Sequence, residues 1–277
     1  MTRGTQFDLP SSLSAELHDD IAVLRLSRPE KRNAIDLTMI HGIDRFFGEL
    51  PANIRAVVIG GDGNHFCAGA DLSSINETDS SSGLLGSRAW HRAFDRIEHS
   101  DVPVVAVLHG AVIGGGLELA ASAHIRVAER GTFYALPEGS RGIFVGGGAS
   151  VRVPRLIGVP RMVDMMLTGR TYGAEEGMGL GLSQYLVEPG EGLARALELA
   201  RRMIANTPLT NFAVIQALPR VARADPETGL LLESLMFSVT AAGEETKLRL
   251  RAFLDKRAPK VSHDPCAVTS NAQAGAG

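Results

Sequence analysis

Two glutamates and two glycine-rich junctions are the residues of this chain whose types and settings can do chemistry. Glu118 lies in Gly116-Leu117-Glu118-Leu119-Ala120-Ala121, at the start of an otherwise apolar helix. A carboxyl there either faces a cavity, where burial raises its pKa toward values useful for proton transfer, or complements the helix dipole in the first turn. Glu138 follows Leu136-Pro137 and precedes Gly139, so taken alone it also reads as an exposed turn residue. The rest of the candidate chemistry is backbone. His65-Phe66-Cys67-Ala68-Gly69-Ala70-Asp71-Leu72 follows a strand and a glycine turn, and Gly114-Gly115-Gly116 follows a second strand and precedes a helix. Small residues let backbone approach a ligand, and successive N–H groups at such junctions form an anion-stabilising concavity. Each junction alone is also simply a tight turn. Two of them on neighbouring strands could aim one N–H each at a single oxygen, which makes an oxyanion hole.

Other chemistries are excluded by spacing. A phosphate loop needs Gly-Lys-Ser/Thr, and none of Lys31, Lys247, Lys256 and Lys260 follows a glycine. A dinucleotide fingerprint needs Gly-x-Gly-x-x-Gly after a strand, and the run after Val104–Leu108 is HGAVIGGGLE. There is no His-Glu-x-x-His, neither Cys67 nor Cys266 has a partner at ligand spacing, and the eight histidines are scattered, so no metal site is expected. The Gly-x-Ser-x-Gly elbow of serine hydrolases is missing as well.

These junctions need a scaffold. Ile21–Leu26, Ala56–Ile59, Val104–Leu108, Ile125–Ala128 and Phe133–Leu136 are short, Val- and Ile-rich runs that read as buried strands. Helical periodicity falls between them at Leu37–Leu50, Ser87–His99 and Leu117–Ser122, which argues for an α/β core. After about Ser150 strand signals fade, and Arg161–Leu167, Leu193–Ile204, Asn211–Val221, Gly229–Thr240 and Glu244–Arg257 read as amphipathic helices punctuated by prolines. Val102–Ala123 is apolar enough to suggest a membrane span, but Pro103, His109, Glu118 and the triple glycine divide it into two elements.

The 277 residues suit one large domain or two small ones. With 28 Lys+Arg against 31 Asp+Glu, the net charge of −3 gives no basic face for nucleic acid. Hydrophobic content of 44% with 21% charged residues is ordinary globular usage. Two cysteines make no disulfide framework, and the N-terminus carries no signal-length apolar stretch, so a reducing, cytoplasmic setting is expected.

Taken together, residues 15–260 resemble the enoyl-CoA hydratase/isomerase (crotonase) superfamily. The motifs stand in order: Arg28-Pro29-Glu30-Lys31-Arg32-Asn33-Ala34, FCAGADL, HGAVIGGGLELA, LPEGSRGIFVGGG and PRLIG. Glu118 and Glu138 stand 20 residues apart, as in the hydratases of that superfamily. The resemblance implies an α/β spiral of ββα units with a helical C-terminal oligomerisation region. It also implies an N-terminal extension over 1–14, a core with the active site over 15–200 and a helical region over 201–260, while the small, polar, apolar-poor composition of 261–277 reads as a disordered tail.

By the same resemblance, the N–H groups of Ala70 and Gly115 form the oxyanion hole for a thioester carbonyl, and Glu118 and Glu138 match the two catalytic glutamates of hydratases. Lys31, Arg32, Ala34, Ala68, Ala70, Asp71 and Leu72 fall where the family holds CoA, joined by Phe253 and Lys256 near a subunit interface. The implied substrate is an acyl-CoA thioester of lipid metabolism, with CoA arriving on the substrate and no further cofactor. The implied assembly is a homotrimer or dimer of trimers, for which Leu230, Leu231, Leu235, Met236 and Phe237 supply apolar surface. The chain departs from the hydratase pattern at Val145-Gly146-Gly147-Gly148-Ala149, where Pro-Gly-Ala-Gly-Gly is usual, and this loop borders the acyl end of the pocket. Arg141, close behind Glu138, either places a cation near the site or serves the surface. The expected reaction is hydration of a 2-trans-enoyl-CoA. Double-bond isomerisation on the same scaffold and acyl-CoA binding without turnover are the alternatives.

Overall fold

The computed structural model describes residues 7–74 and 79–257. They fall into two compact units, divided between Gln216 and Ala217.

The first unit is organised by a six-stranded sheet. In chain order its strands are β1 (Leu13–His18), β2 (Ile21–Leu26), β3 (Ala56–Gly61), β4 (Val104–Leu108), then β6 (Ile125–Glu129) and β9 (Tyr185–Val187), which is also their spatial order. β1 and β2 pair antiparallel, and every later pairing in this sheet is parallel. A smaller sheet joins β5 (Ala111–Ile113), β7 (Phe133–Ala135) and β8 (Tyr172–Gly173).

Alternation along the strands divides the core. Ala22, Leu24, Leu26, Val57, Ile59, Val104, Ala106 and Leu108 pack on one face with α1 (Leu37–Gly48), α2 (Ser80–Glu98) and α3 (Gly115–Ser122). Ile21, Val23, Ala56, Val58, Val105, Val107 and Val127 pack on the other against α7 (Gly192–Ile204), to which Ala196, Leu197, Leu199 and Ala200 belong. Burial on both faces is why these strands read as continuous apolar runs. The helices α4 (Ala149–Ile157), α5 (Val159–Thr168) and α6 (Ala174–Leu180) precede α7, and α8 (Pro208–Phe212) follows it.

The apolar run Val102–Ala123 divides into β4, β5 and α3, and no helix of the described residues is long and apolar enough to cross a membrane. Two readings of the sequence are corrected. Strands do not end at Ser150, because β8 and β9 lie beyond it; at two and three residues they are too short to leave a periodic signal. The helix expected over Asn211–Val221 is broken into α8, a π turn over Ala213–Ala217 and a short α9 (Leu218–Val221). Pro219 has no N–H to return to the Ile215 carbonyl, so the regular ladder cannot continue there.

In the second unit α9 is followed by α10 (Pro226–Ala241) and α11 (Glu244–Leu254). Asp225 caps α10 by accepting from Thr228 N–H (3.0 Å). Leu230, Leu231, Leu235 and Phe237 are all exposed on α10. The expected tail, 261–277, lies outside the described residues, as does Cys266.

Candidate active site

The site forms where β5 ends and α3 begins. Segment 66–71 runs beside β5, with Cys67 N–H donating to Ala111 O (3.0 Å) and Ile113 N–H donating to Cys67 O (3.0 Å). Its other edge pairs with residues 32–35, through Ala68 N–H to Arg32 O (2.9 Å), Ile35 N–H to Gly69 O (2.8 Å) and Asp71 N–H to Ile35 O (2.8 Å). This pattern skips the Ala70 amide. Gly114 N–H donates to Ala135 O (2.9 Å), and the next amide, Gly115, opens α3. Neither Ala70 N–H nor Gly115 N–H meets a backbone acceptor among the described residues. The two lie side by side: a methyl built on Gly69 would stand 3.3 Å from Gly115 N, and one built on Gly115 would stand 3.3 Å from Ala70 N. Gly69 (φ +96°) and Gly114 (φ +52°) hold the left-handed backbone that aims these amides together.

Glu118 is in the first turn of α3 and only 4% exposed. Its Oε1 accepts from Gly147 N–H (2.8 Å), in the loop that enters α4, and from Ala149 N–H (3.0 Å), the first residue of α4. Burial raises its pKa, while these two amides and the charge of Arg152 pull the other way. Arg152 is itself buried, at 6% exposed. It donates to Gly147 O (3.2 Å), to Glu98 Oε2 (2.7 Å) and to Asp95 Oδ1 (2.5 Å), so the loop that holds Glu118 is anchored to α2. Asp95, Glu98 and His99 bring three ligand atoms within 4.8 Å of one another, and two of these side chains are the Arg152 ion pairs.

Glu138 lies in a 3₁₀ turn, Pro137–Arg141, and is 7% exposed. A methyl on Gly114 would meet its Oε1 at 2.5 Å, which places this carboxyl beside the turn into α3. Its Oε2 is buried without a hydrogen-bond partner. Burial raises its pKa and the negative charge of Glu118 raises it further, while its own backbone amide and the exposed Arg141 pull the other way. The structure thus brings Ala70, Gly115, Glu118 and Glu138 to one place.

The comparisons with known proteins agree with this architecture. The model of the enoyl-CoA hydratase/isomerase family matches residues 16–264. A crystal structure from Rhodopseudomonas palustris superposes with a TM-score of 0.88 at 56% identity, covering 92% of this chain and 98% of that one. The short-chain-enoyl-CoA hydratase of Clostridium acetobutylicum is 31% identical over 87% of this chain and 94% of its own length. The 2,3-dehydroadipyl-CoA hydratase of Escherichia coli is 31% identical over 90% of this chain and 98% of its own. The chain belongs to the enoyl-CoA hydratase/isomerase family.

The remaining positions that the family resemblance singled out are distributed unevenly. Lys31 and Arg32 are exposed, Ala34 and Ala68 half-buried, and Leu72 exposed, all on the two paired segments beside Ala70. Lys31 Nζ reaches Asp71 Oδ2 at 3.0 Å, and Arg28 reaches the same oxygen at 3.0 Å. With Ser73, these contacts hold the Asp71 carboxyl well below the usual carboxylate range. Phe253, in α11, and Lys256, just after it, are exposed in the second unit.

Three residues that sequence reasoning missed turn out to build the site. Asn33, fully buried with φ +57°, donates Nδ2 to Asp62 O (2.9 Å) and His65 O (2.7 Å) and so fixes the start of the oxyanion segment. A buried polar residue inside the Arg28–Ala34 motif was the available signal. Trp90 and Arg152 left no such signal, because their partners lie far away in the chain.

Proposed function

We propose that this family member hydrates a 2-trans-enoyl-CoA thioester. Burial raises the pKa of both Glu118 and Glu138, and the unequal donors around them carry the reading. Glu118 has two amide donors and a buried arginine behind it, which favour its carboxylate. Glu138 has an unpartnered buried oxygen and a carboxylate neighbour, which favour its neutral acid. A base and an acid in one pocket are what addition of water to a double bond requires.

In this reading Glu118 takes a proton from the water whose oxygen bonds to C3, and the two carboxyls regain their starting protonation between turnovers. The thioester carbonyl gathers negative charge as the enolate develops, and the Ala70 and Gly115 amides stabilise it. Donors of this type contribute about 3–4 kcal/mol each. Glu138 then delivers its proton to C2, and the 3-hydroxyacyl-CoA leaves. CoA enters with the substrate, and the exposed stretch around Lys31, Arg32 and Leu72 is the surface proposed to meet it. The relatives named above as hydratases support this activity at about a third of shared residues. The exposed leucines and Phe237 of α10 are proposed to mediate self-association into trimers, which light scattering would report as three or six chains per particle.

The test is incubation with 2-enoyl-CoAs of graded length. The enoyl chromophore is followed spectrophotometrically and the product weighed for one added water. Hydration is expected; migration of the double bond with no change in mass would replace this reading with isomerisation.

A further inference from the structure

The chain's one tryptophan stands inside this site. A methyl on Gly115 would lie 2.6 Å from Trp90 Cζ3 and 2.8 Å from Cη2, while one on Gly147 would lie 3.0 Å from Cε3 and 2.6 Å from Glu118 Oε2. One edge of the indole therefore runs from beside Gly115 to beside Gly147, the glycine that abuts the Glu118 carboxyl. The ring is braced from behind by fully buried Phe94, edge-on at 5.5 Å between centroids and 75° between planes. One turn earlier on α2, Ser87 Oγ donates to Gly146 O (2.6 Å), which ties the same helix to the loop that holds Glu118. The edge thus has little room to retreat.

We propose that Trp90 is the specificity wall of this site, selecting unbranched 2-enoyl thioesters against those substituted at C2. The inference rests on the hydration reading only for where the acyl group lies. With the carbonyl oxygen at the Ala70 and Gly115 amides and C3 opposite Glu118, the carbon between them passes along the indole edge. A planar, unbranched chain passes this edge in van der Waals contact. A methyl at C2 meets ring carbons packed on Phe94, and interiors packed this closely do not yield to one extra methyl without cost. The two glycines fit the same account: at Gly115 and Gly147 a side chain would compete with the indole for its place.

The test measures affinity, so it does not require turnover. Butanoyl-CoA and 2-methylbutanoyl-CoA are titrated calorimetrically against the full chain and against Trp90→Ala, Trp90→Leu and Trp90→Phe. The wild type is expected to favour the unbranched thioester by about 10–100-fold, the range one methyl group commands in a shaped pocket. Trp90→Ala and Trp90→Leu should reduce that preference to within about threefold, and Trp90→Phe should retain part of it. Selective excitation of Trp90 should show an emission shift on binding butanoyl-CoA, which a purely structural tryptophan would not give. A wild-type preference near one, a preference that persists without the indole, or no binding of either thioester would overturn the proposal. Clear selectivity in binding together with no hydration of 2-butenoyl-CoA would instead overturn the hydration reading and leave the wall standing.

Discussion

The two carboxyls of this pocket are held in contrasting ways. Glu118 is fixed by a regular element and by a chain of partners: α3 carries it, the Gly147 and Ala149 amides grip it, and Arg152 ties their loop to Glu98 and Asp95 of α2. Glu138 sits on a single 3₁₀ turn and leaves one oxygen without a partner. Burial raises the pKa of both; two backbone amides and a buried arginine offset it at Glu118, where Glu138 has only its own backbone amide and an exposed arginine. Similar burial therefore gives two different chemical dispositions, because the hydrogen-bond donors are distributed unequally.

The contrast can be broken most severely at the glycines that touch each carboxyl. Gly147→Ala would drive a methyl into Glu118 Oε2 and Trp90, and Gly114→Ala would do so into Glu138 Oε1 while straining a residue at φ +52°. Each is expected to lower kcat by about 10²–10⁴-fold, the contribution of a positioned acid or base. Gly114→Ala should lower the melting temperature as well, since alanine adopts that backbone poorly. Steady-state hydration assays with thermal melts check both.

Arg152→Met tests the chain of partners behind Glu118. Removing one member of a buried ion pair costs about 3–5 kcal/mol, and the low end is expected here because Asp95 is exposed. The loss of a cation near Glu118 should also move the acid limb of kcat to higher pH, and Arg152→Lys should restore much of it. Denaturant unfolding and a pH–rate profile separate the two effects.

A smaller effect concerns the footing of that network. His124 accepts Val104 N–H at Nδ1 (2.9 Å), and its Nε2 lies 3.2 Å from Glu98 O, so it packs against the end of α2 that carries Glu98. Burial pulls its pKa from 6.5 down to about 4. Between those values the unfolded chain binds a proton that the folded chain refuses, so stability present above pH 6.5 drains away as pH falls to about 4. At 1.36 kcal/mol per unit the full loss is about 3 kcal/mol. Stability measured across that window should slope less in His124→Gln than in the wild type.

Much of the scaffold was legible because its strands are buried on both faces. Ile21–Leu26 and Val104–Leu108 were read with the bounds the structure gives them. The start of α2 was not legible: Ser80, Ser81, Ser82 and Gly83 carry little helical signal, and their helix rests on Asp79, whose Oδ1 accepts from Ser81 N–H (2.8 Å) and Ser82 N–H (2.9 Å). Glu118 stood out because an acid in an apolar helix start needs a reason. Trp90 and Arg152 did not, since an indole or a guanidinium on an amphipathic helix reads as ordinary packing or surface until the opposite wall is seen. Local pattern shows which groups are unusual. Only the fold shows what they face.

The central claim is that both carboxyls work in one proton-transfer network, and the most direct measurement is the rate of 2-enoyl-CoA hydration in Glu118→Gln and Glu138→Gln, read beside their affinity for butanoyl-CoA. Each variant is predicted to lose hydration by about 10²–10⁴-fold while binding the thioester as the wild type does, because shape and the Ala70 and Gly115 amides remain. A Glu118→Gln protein that hydrates at the wild-type rate would contradict the account and leave Glu118 as a helix-start residue without a chemical role.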